Sequence, residues 1–295
     1  MDAADGDAES RIAAASRRAA ESDSLVLAAE GIAHRVGNDD GRWFVALDPA
    51  DRARADAALA SYARENAPEP APPPEPVPEV ETNAGIWLAL ALVAAYAYTG
   101  EWYDASPYFE RGANDARLVV AGELWRTVTA LTLHSDVAHV LGNAFSCAVF
   151  ASLLMRRYGA GVGGALLLAS GALGNFLSSE WHRSHHLSVG ASTALFGAIG
   201  ALASTELVRR RRLRLRGSQA WLPLAGGIGL LAMLGTGRGS DLTAHVMGLA
   251  SGALVGLVAA RASPRPLRAP AQLAFGAVTL AVIALAWRFA LRGAA

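Results

Sequence analysis

Seven stretches of about 20 largely uncharged residues recur along this chain, near 84–100, 136–155, 161–181, 188–208, 219–236, 241–260 and 270–287. Each has the length that spans a hydrocarbon core of about 30 Å as a helix. The pattern upstream differs. Ser24–Ala29 and Trp43–Leu47 are short apolar runs on either side of a turn-like Asn38-Asp39-Asp40-Gly41. Asp48-Pro49 supplies an N-cap and a first-turn proline for a helix running to about Asn66. The expectation is a small α+β domain over residues 1–66 with a disordered start, of a size close to the lower limit for unaided folding. A linker over 67–83 follows, and its Ala67–Glu79 segment alternates proline with glutamate and alanine. Such a segment forms a semi-rigid spacer of up to ~40 Å. Residues 84–295 then read as an all-α polytopic membrane bundle.

Composition agrees: hydrophobic residues make up 53% of the 295 and charged residues 18%. The zero net charge hides an uneven distribution, since every basic residue other than histidine is an arginine. Arg156 and Arg157 follow the second span, Arg209–Arg212 with Arg214 and Arg216 follow the fourth, and Arg261, Arg265 and Arg268 follow the sixth. Those connections are expected to be cytoplasmic. The connections Ser179–Leu187 and Gly235–Ser240 carry one arginine each, Arg183 and Arg238, as outer loops do. Seven spans put the N-terminus inside and the C-terminus outside, and the expected location is a bacterial inner (plasma) membrane. The acidic start of the chain lacks an apolar run, so the first span is expected to act as the membrane signal.

This topology sets polar groups at a common depth. With the fourth span beginning outside, Ser192 lies about four residues in, or ~6 Å along a helix. His245 lies about four residues into the sixth span, and His139 and Asn143 lie three and seven residues into the second. Polar and ionisable groups inside spans are costly and point to function. A serine hydroxyl needs a base to become a nucleophile, and a neutral imidazole is the usual one. His245 is the candidate base and Ser192 the candidate nucleophile. His139 and Asn143, four apart, share a helix face and are candidate donors to an oxyanion. The alternative is that Ser192, set among Gly190, Ala191 and Gly197, is a packing notch of the kind membrane helices use.

From Gly122 to roughly Ala260 the chain resembles the rhomboid intramembrane serine proteases. Glu123-Leu124-Trp125-Arg126 looks like the Trp-Arg motif of that family's first loop. His134 with His139-Val140-Leu141-Gly142-Asn143 is similar to its second-helix element. Gly190-Ala191-Ser192 is similar to Gly-x-Ser, and Ala244-His245-Val246-Met247-Gly248 with Gly252 is similar to Ala-His-x-x-Gly-x-x-x-Gly. The resemblance implies a six-helix core plus one extra C-terminal helix and a Ser192–His245 dyad without a catalytic aspartate. It implies an oxyanion site from His139, Asn143 and the Ser192 backbone N–H, with Phe196 stacked on His245. It implies hydrolysis of transmembrane-helix substrates near the outer face. One departure stands out: Thr193 follows the serine where many relatives have glycine. Thr193 is easily placed if its backbone is helical and awkward if φ must be positive.

Other features carry plainer readings. His182, His185 and His186 have metal-ligand spacing in an outer loop, yet no metal or other cofactor is expected. The arginines from 209 to 216 read as a topology anchor at anionic lipid, so nucleic acid is not an expected partner. The expected partners are substrate helices and the bilayer. Cys147 reads as a structural thiol, and Ser240-Asp241 as the N-cap of the sixth helix. Gly248 and Gly252, with Gly197 and Gly200, would let the fourth and sixth helices approach closely. A rhomboid-like protein that binds or escorts transmembrane helices without cleaving them is the competing reading, and a transporter or plain scaffold a more distant one.

Overall fold

The computed structural model describes residues 9–67, 79–102, 106–184, 186–212, 241–263 and 265–292, with positions 225 and 229. The expected fifth span, apart from those two positions, lies outside the described residues, as do residues 68–78 of the proline-rich segment and Arg214, Arg216, Arg238 and His185. The chain divides into two compact units, Met1–Pro73 and Pro74–Ala295.

The first unit is a three-stranded antiparallel sheet with two helices. Strand β1 (Ser10–Ala14) pairs with β3 (Arg42–Leu47), which also pairs with β2 (His34–Asp39), giving the order β1-β3-β2. A two-residue turn joins β2 to β3, with Asp40 at φ 50° and Gly41 at φ 85°, the left-handed backbone such tight hairpins require. The run Ser24–Ala29 is not strand-like but lies in helix α1 (Arg17–Ala29). Ser16 caps that helix by accepting from Ala19 N–H, and helical spacing buries Leu27 while leaving Leu25 on the outside. Asp48 accepts from Ala50 N–H and starts a single 3-10 turn that leads into α2 (Arg52–Glu65). Ala20, Leu27, Ile32, Val45, Leu47 and Ala55 form the core.

The second unit is a helical membrane bundle. Among the described residues four helices are long and apolar enough to cross a bilayer: α7 (Val137–Tyr158), α8 (Ala160–His182), α10 (Leu242–Ala262) and α11 (Ala269–Arg292). The first expected span is α3 (Ala84–Thr99), 16 residues long. The fourth is α9 (Ser192–Arg212), which begins four residues later than its apolar run suggests. Gly190 explains the shift, because its φ of 120° breaks helical continuity just ahead of Ser192. Between α3 and α7 lie the short helices α4 (Pro107–Gly112), α5 (Ala116–Val120) and α6 (Arg126–Thr129). Strand β4 (Asn114–Asp115) pairs antiparallel with β5 (Leu187–Ser188), which joins this first loop to the segment just before Ser192.

Helices α9 and α10 pack backbone to backbone. A Cβ added at Gly252 would stand 1.9 Å from the Gly197 carbonyl oxygen, and one at Gly248 2.2 Å from that of Thr193. The two helices are parallel, since Ser192 meets His245 at one end and the Arg212 guanidinium donates to the Ala260 carbonyl at the other. Helices α7, α9 and α10 all begin at the polar cleft described below and end in arginine: Arg156 and Arg157, Arg209–Arg212, and Arg261.

Candidate active site

Ser192 opens α9, and its Oγ lies 2.9 Å from Nε2 of His245, which stands in the first turn of α10. The two residues are 53 apart in sequence, and the glycine contact between their helices brings them together. Phe196, one turn along α9, lies against the His245 ring with centroids 4.6 Å apart. His245 is buried, and Ser192 is half-buried at the edge of a cleft of about 760 Å³. Trp102, Ser135, His139, Asn143, Phe196 and Asp241 line that cleft along with the pair itself.

Thr193 is the second residue of α9, so its backbone is helical and carries no strain. Its methyl group occupies space that two glycines leave open. A Cβ at Gly174 would lie 2.7 Å from Thr193 Cγ2, and one at Gly248 3.1 Å from it.

The other wall of the cleft is α7. Asp136 caps this helix by accepting from His139 N–H through Oδ1, while its Oδ2 accepts from the Ser135 hydroxyl. These bonds hold the Asp136 carboxyl below its usual range, the backbone N–H of His139 contributing most. Ser135 has one proton and gives it to Asp136, so at 3.0 Å it accepts from His139 Nδ1. A neutral His139 therefore presents a lone pair at Nε2. That nitrogen abuts the Gly190 backbone, where an added Cβ would stand 2.6 Å from it. Asn143 lies one turn further along. Its Nδ2 is buried with no hydrogen-bond partner among the described residues, 3.4 Å from where that same Cβ would be. A buried, unpaired amide donor is costly to keep.

Trp125 and Arg126 do not line the cleft. The Arg126 side chain is buried, pairs with Glu123 at 2.6 Å and donates to the carbonyls of Glu110 and Ala113, each at 3.0 Å. Trp125 stacks on Phe289 of α11 at 6.4 Å. Arg126 knits the first loop together, and Trp125 ties it to α11. Asp241 caps α10 through Ala244 N–H, and its second oxygen meets His186, not His245. Cys147 is buried, with its thiol directed at the Gly85 carbonyl.

Two roles escape a reading of motifs alone. His134 is fully buried, its Nε2 accepts from Ala191 N–H at 3.4 Å, and its ring meets that of His139 edge-on at 5.2 Å. It thereby anchors the residue before Ser192. Asn175 of α8 reaches the cleft and donates to the Thr127 carbonyl at 2.9 Å. The N-cap sequence Ser135-Asp136 with His139 three residues on was the available signal for the orientation of His139; nothing local marks Asn175.

Residues 121–262 match the model of the Rhomboid domain family. RHOMBOID-like protein 1 of Arabidopsis thaliana is 38% identical over 148 residues, covering 50% of this chain and 38% of that protein. Rhomboid-like protease 1 of Toxoplasma gondii is 31% identical over 149 residues, 50% of this chain and 51% of the relative. Rhomboid protease GluP of Bacillus subtilis is 35% identical over 100 residues, 34% of this chain and 19% of the relative. The chain thus spans about half or less of the length of these relatives.

Proposed function

On the premise that this integral membrane chain is a rhomboid family protein, its rhomboid domain spanning residues 121–262, we propose that it is a serine endopeptidase cleaving transmembrane helices near the outer face. The observation that carries this reading is the 2.9 Å hydrogen bond between Ser192 Oγ and His245 Nε2 in a cleft that His139 and Asn143 also line. A packing notch has no need of a buried imidazole on its hydroxyl.

In the proposed mechanism His245 Nε2 takes the hydroxyl proton as Ser192 Oγ attacks the substrate carbonyl. The resulting oxyanion accepts from the Asn143 Nδ2 amide and from the Ser192 backbone N–H. That N–H stands at the first position of α9, where no intrahelical acceptor exists and the helix dipole favours negative charge. His139 Nε2 joins as a donor only when the imidazole is doubly protonated, since Ser135 fixes the neutral proton at Nδ1. His245 then protonates the leaving amine, and water releases the acyl group by the same steps reversed. Phe196 keeps the His245 ring plane in place. The arginine-rich ends of α7, α9 and α10 face the cytoplasm in this reading, which sets the cleft toward the outer surface with the N-terminus inside.

Cleavage of a model single-span substrate by the protein in liposomes tests the proposal. Ser192→Ala and His245→Ala should each abolish turnover while the melting temperature stays near that of the wild type. Full turnover by either variant returns the chain to the competing reading of a helix-binding protein without protease activity.

A further inference from the structure

A second polar cluster stands at the rim of the cleft. His182 closes α8, His186 lies in the connection before β5, and Asp241 caps α10. One ligand atom from each of the three lies within 4.8 Å of the other two. The two imidazoles stack with centroids 3.8 Å apart and planes 17° from parallel, and His186 Nε2 is 2.7 Å from Asp241 Oδ2. His182 Nε2 is buried with no hydrogen-bond partner among the described residues. A shielded ring nitrogen with no partner among the described residues is an unusual expense unless something else binds it.

We propose that His182, His186 and Asp241 form a binding site for a divalent transition-metal ion, zinc above all. Two imidazoles and one carboxylate, with a fourth position left to water, are a donor set that zinc favours. Calcium and magnesium prefer oxygen ligands throughout. The ion takes the place of the proton shared by His186 and Asp241 and gives the idle His182 nitrogen a partner. Ligand atoms around tetrahedral zinc stand roughly 3.3 Å apart at zinc–ligand distances of about 2.0–2.1 Å, so side-chain rotation within this cluster closes the site.

The surroundings are suited to a clamp. Asp241 keeps Oδ1 on Ala244 N–H at 3.0 Å, which orients Oδ2 toward the histidines as outer partners orient ligands in metal sites. The His186 carbonyl accepts from Ala116 N–H at 2.9 Å, so its loop is tied to the first loop of the bundle. The Asp241 carbonyl accepts from His245 N–H at 3.0 Å. A metal here joins the end of α8 and the loop before Ser192 to the first turn of the helix that carries His245. It is a positioning site, it touches no reacting atom, and it stands whether or not the chain is a protease. The ligands come from positions 182, 186 and 241, so the run of histidines alone hides the third.

Zinc binding by the full-length protein, prepared without a polyhistidine tag and stripped with a chelator in detergent, decides the matter by calorimetric titration and thermal melting. The wild type should bind one equivalent with a Kd of about micromolar or tighter and gain several degrees in Tm, as ligand binding to the native state requires. Calcium and magnesium should produce no shift. His182→Ala loses the ring contact with His186 but no hydrogen bond at Nε2, so it should lower the metal-free Tm only slightly, weaken zinc binding at least tenfold and remove the Tm gain. Asp241→Asn, which keeps an oxygen for the cap, should weaken binding as well. Failure of the wild type to take up zinc overturns the site, as does uptake that neither substitution weakens.

Discussion

The contact between α9 and α10 and the contact of α11 with the rest of the bundle solve the same problem in different ways. The first is lined by glycine: side-chain atoms at Gly248 and Gly252, or at Gly200 opposite the Leu249 carbonyl, would overlap backbone. The second comes backbone-close where α11 begins, a Cβ at Gly161 of α8 standing 1.8 Å from the Gln272 carbonyl oxygen, and buries only Ala286 and Ala290 along α11. It is pegged near its ends, where Gln272 donates to the Tyr158 carbonyl at 2.7 Å and accepts from Val162 N–H, and Trp287 Nε1 donates to Thr132 Oγ1 at 3.1 Å. In lipid, apolar side chains gain little by meeting one another, so helix association rests on close van der Waals fit and on polar contacts. The bundle runs glycine fit along the whole contact where two helices must deliver Ser192 to His245 within a hydrogen bond, and confines it to one end, beside polar pegs, where a helix need only stay attached.

The sharpest way to break this contrast is Gly252→Leu. Its side chain would meet the Gly197 backbone and force α9 and α10 apart, so proteolysis should fall by more than about 10³, since misplacement of reacting groups by ~1 Å already costs about 10². Substrate turnover, normalised to folded protein, measures it. Near-normal turnover would show that the glycine contact does not set the dyad. Asn143→Ala comes next, with kcat lowered by about 10² to 10³ and KM nearly unchanged, because an oxyanion donor acts mainly as charge develops. A lower active fraction with kcat per active site unchanged would make Asn143 a packing residue. Deleting residues 1–80 removes a separate compact unit that holds none of the proposed site, so cleavage of a model substrate in detergent should stay within about tenfold, or ~1.4 kcal/mol in the barrier. The smallest expected effect is that of Gln272→Ala. It should lower Tm by a few degrees through three lost side-chain hydrogen bonds, to Val162, Tyr158 and Leu267, and leave kcat within about threefold; a collapse of activity would mean that α11 shapes the site as closely as α10 does.

The same contrast marks what could be read from the chain alone. The helical bundle and its small α+β companion follow from the apolar runs and turn signals, and the small-x-x-x-small spacing of Gly248 and Gly252 announces a close helix contact. The common depth of Ser192 and His245 follows from counting residues into each span, although α9 begins at Ser192 itself because Gly190 interrupts the apolar run. What stays hidden depends on partners far apart in sequence. His134 supports Ala191, Asn175 reaches across to Thr127, and Asp241 turns to His186 instead of His245. The fit of Thr193 is hidden for the same reason: it requires Gly174 on α8 and Gly248 on α10 together. Gln272, which pegs α11, stands at the start of an apolar run like any interfacial polar residue.

The central claim, that helix packing makes Ser192 a nucleophile activated by His245, is tested most directly by the rate of labelling with a fluorophosphonate probe, the modified residue being located by mass spectrometry. The account predicts a single adduct on Ser192 in the folded protein, none in Ser192→Ala, and labelling slower by about 10³ or more in His245→Ala, since base activation supplies that order of rate. An adduct on a different residue, or equal labelling rates in the wild type and His245→Ala, would contradict it.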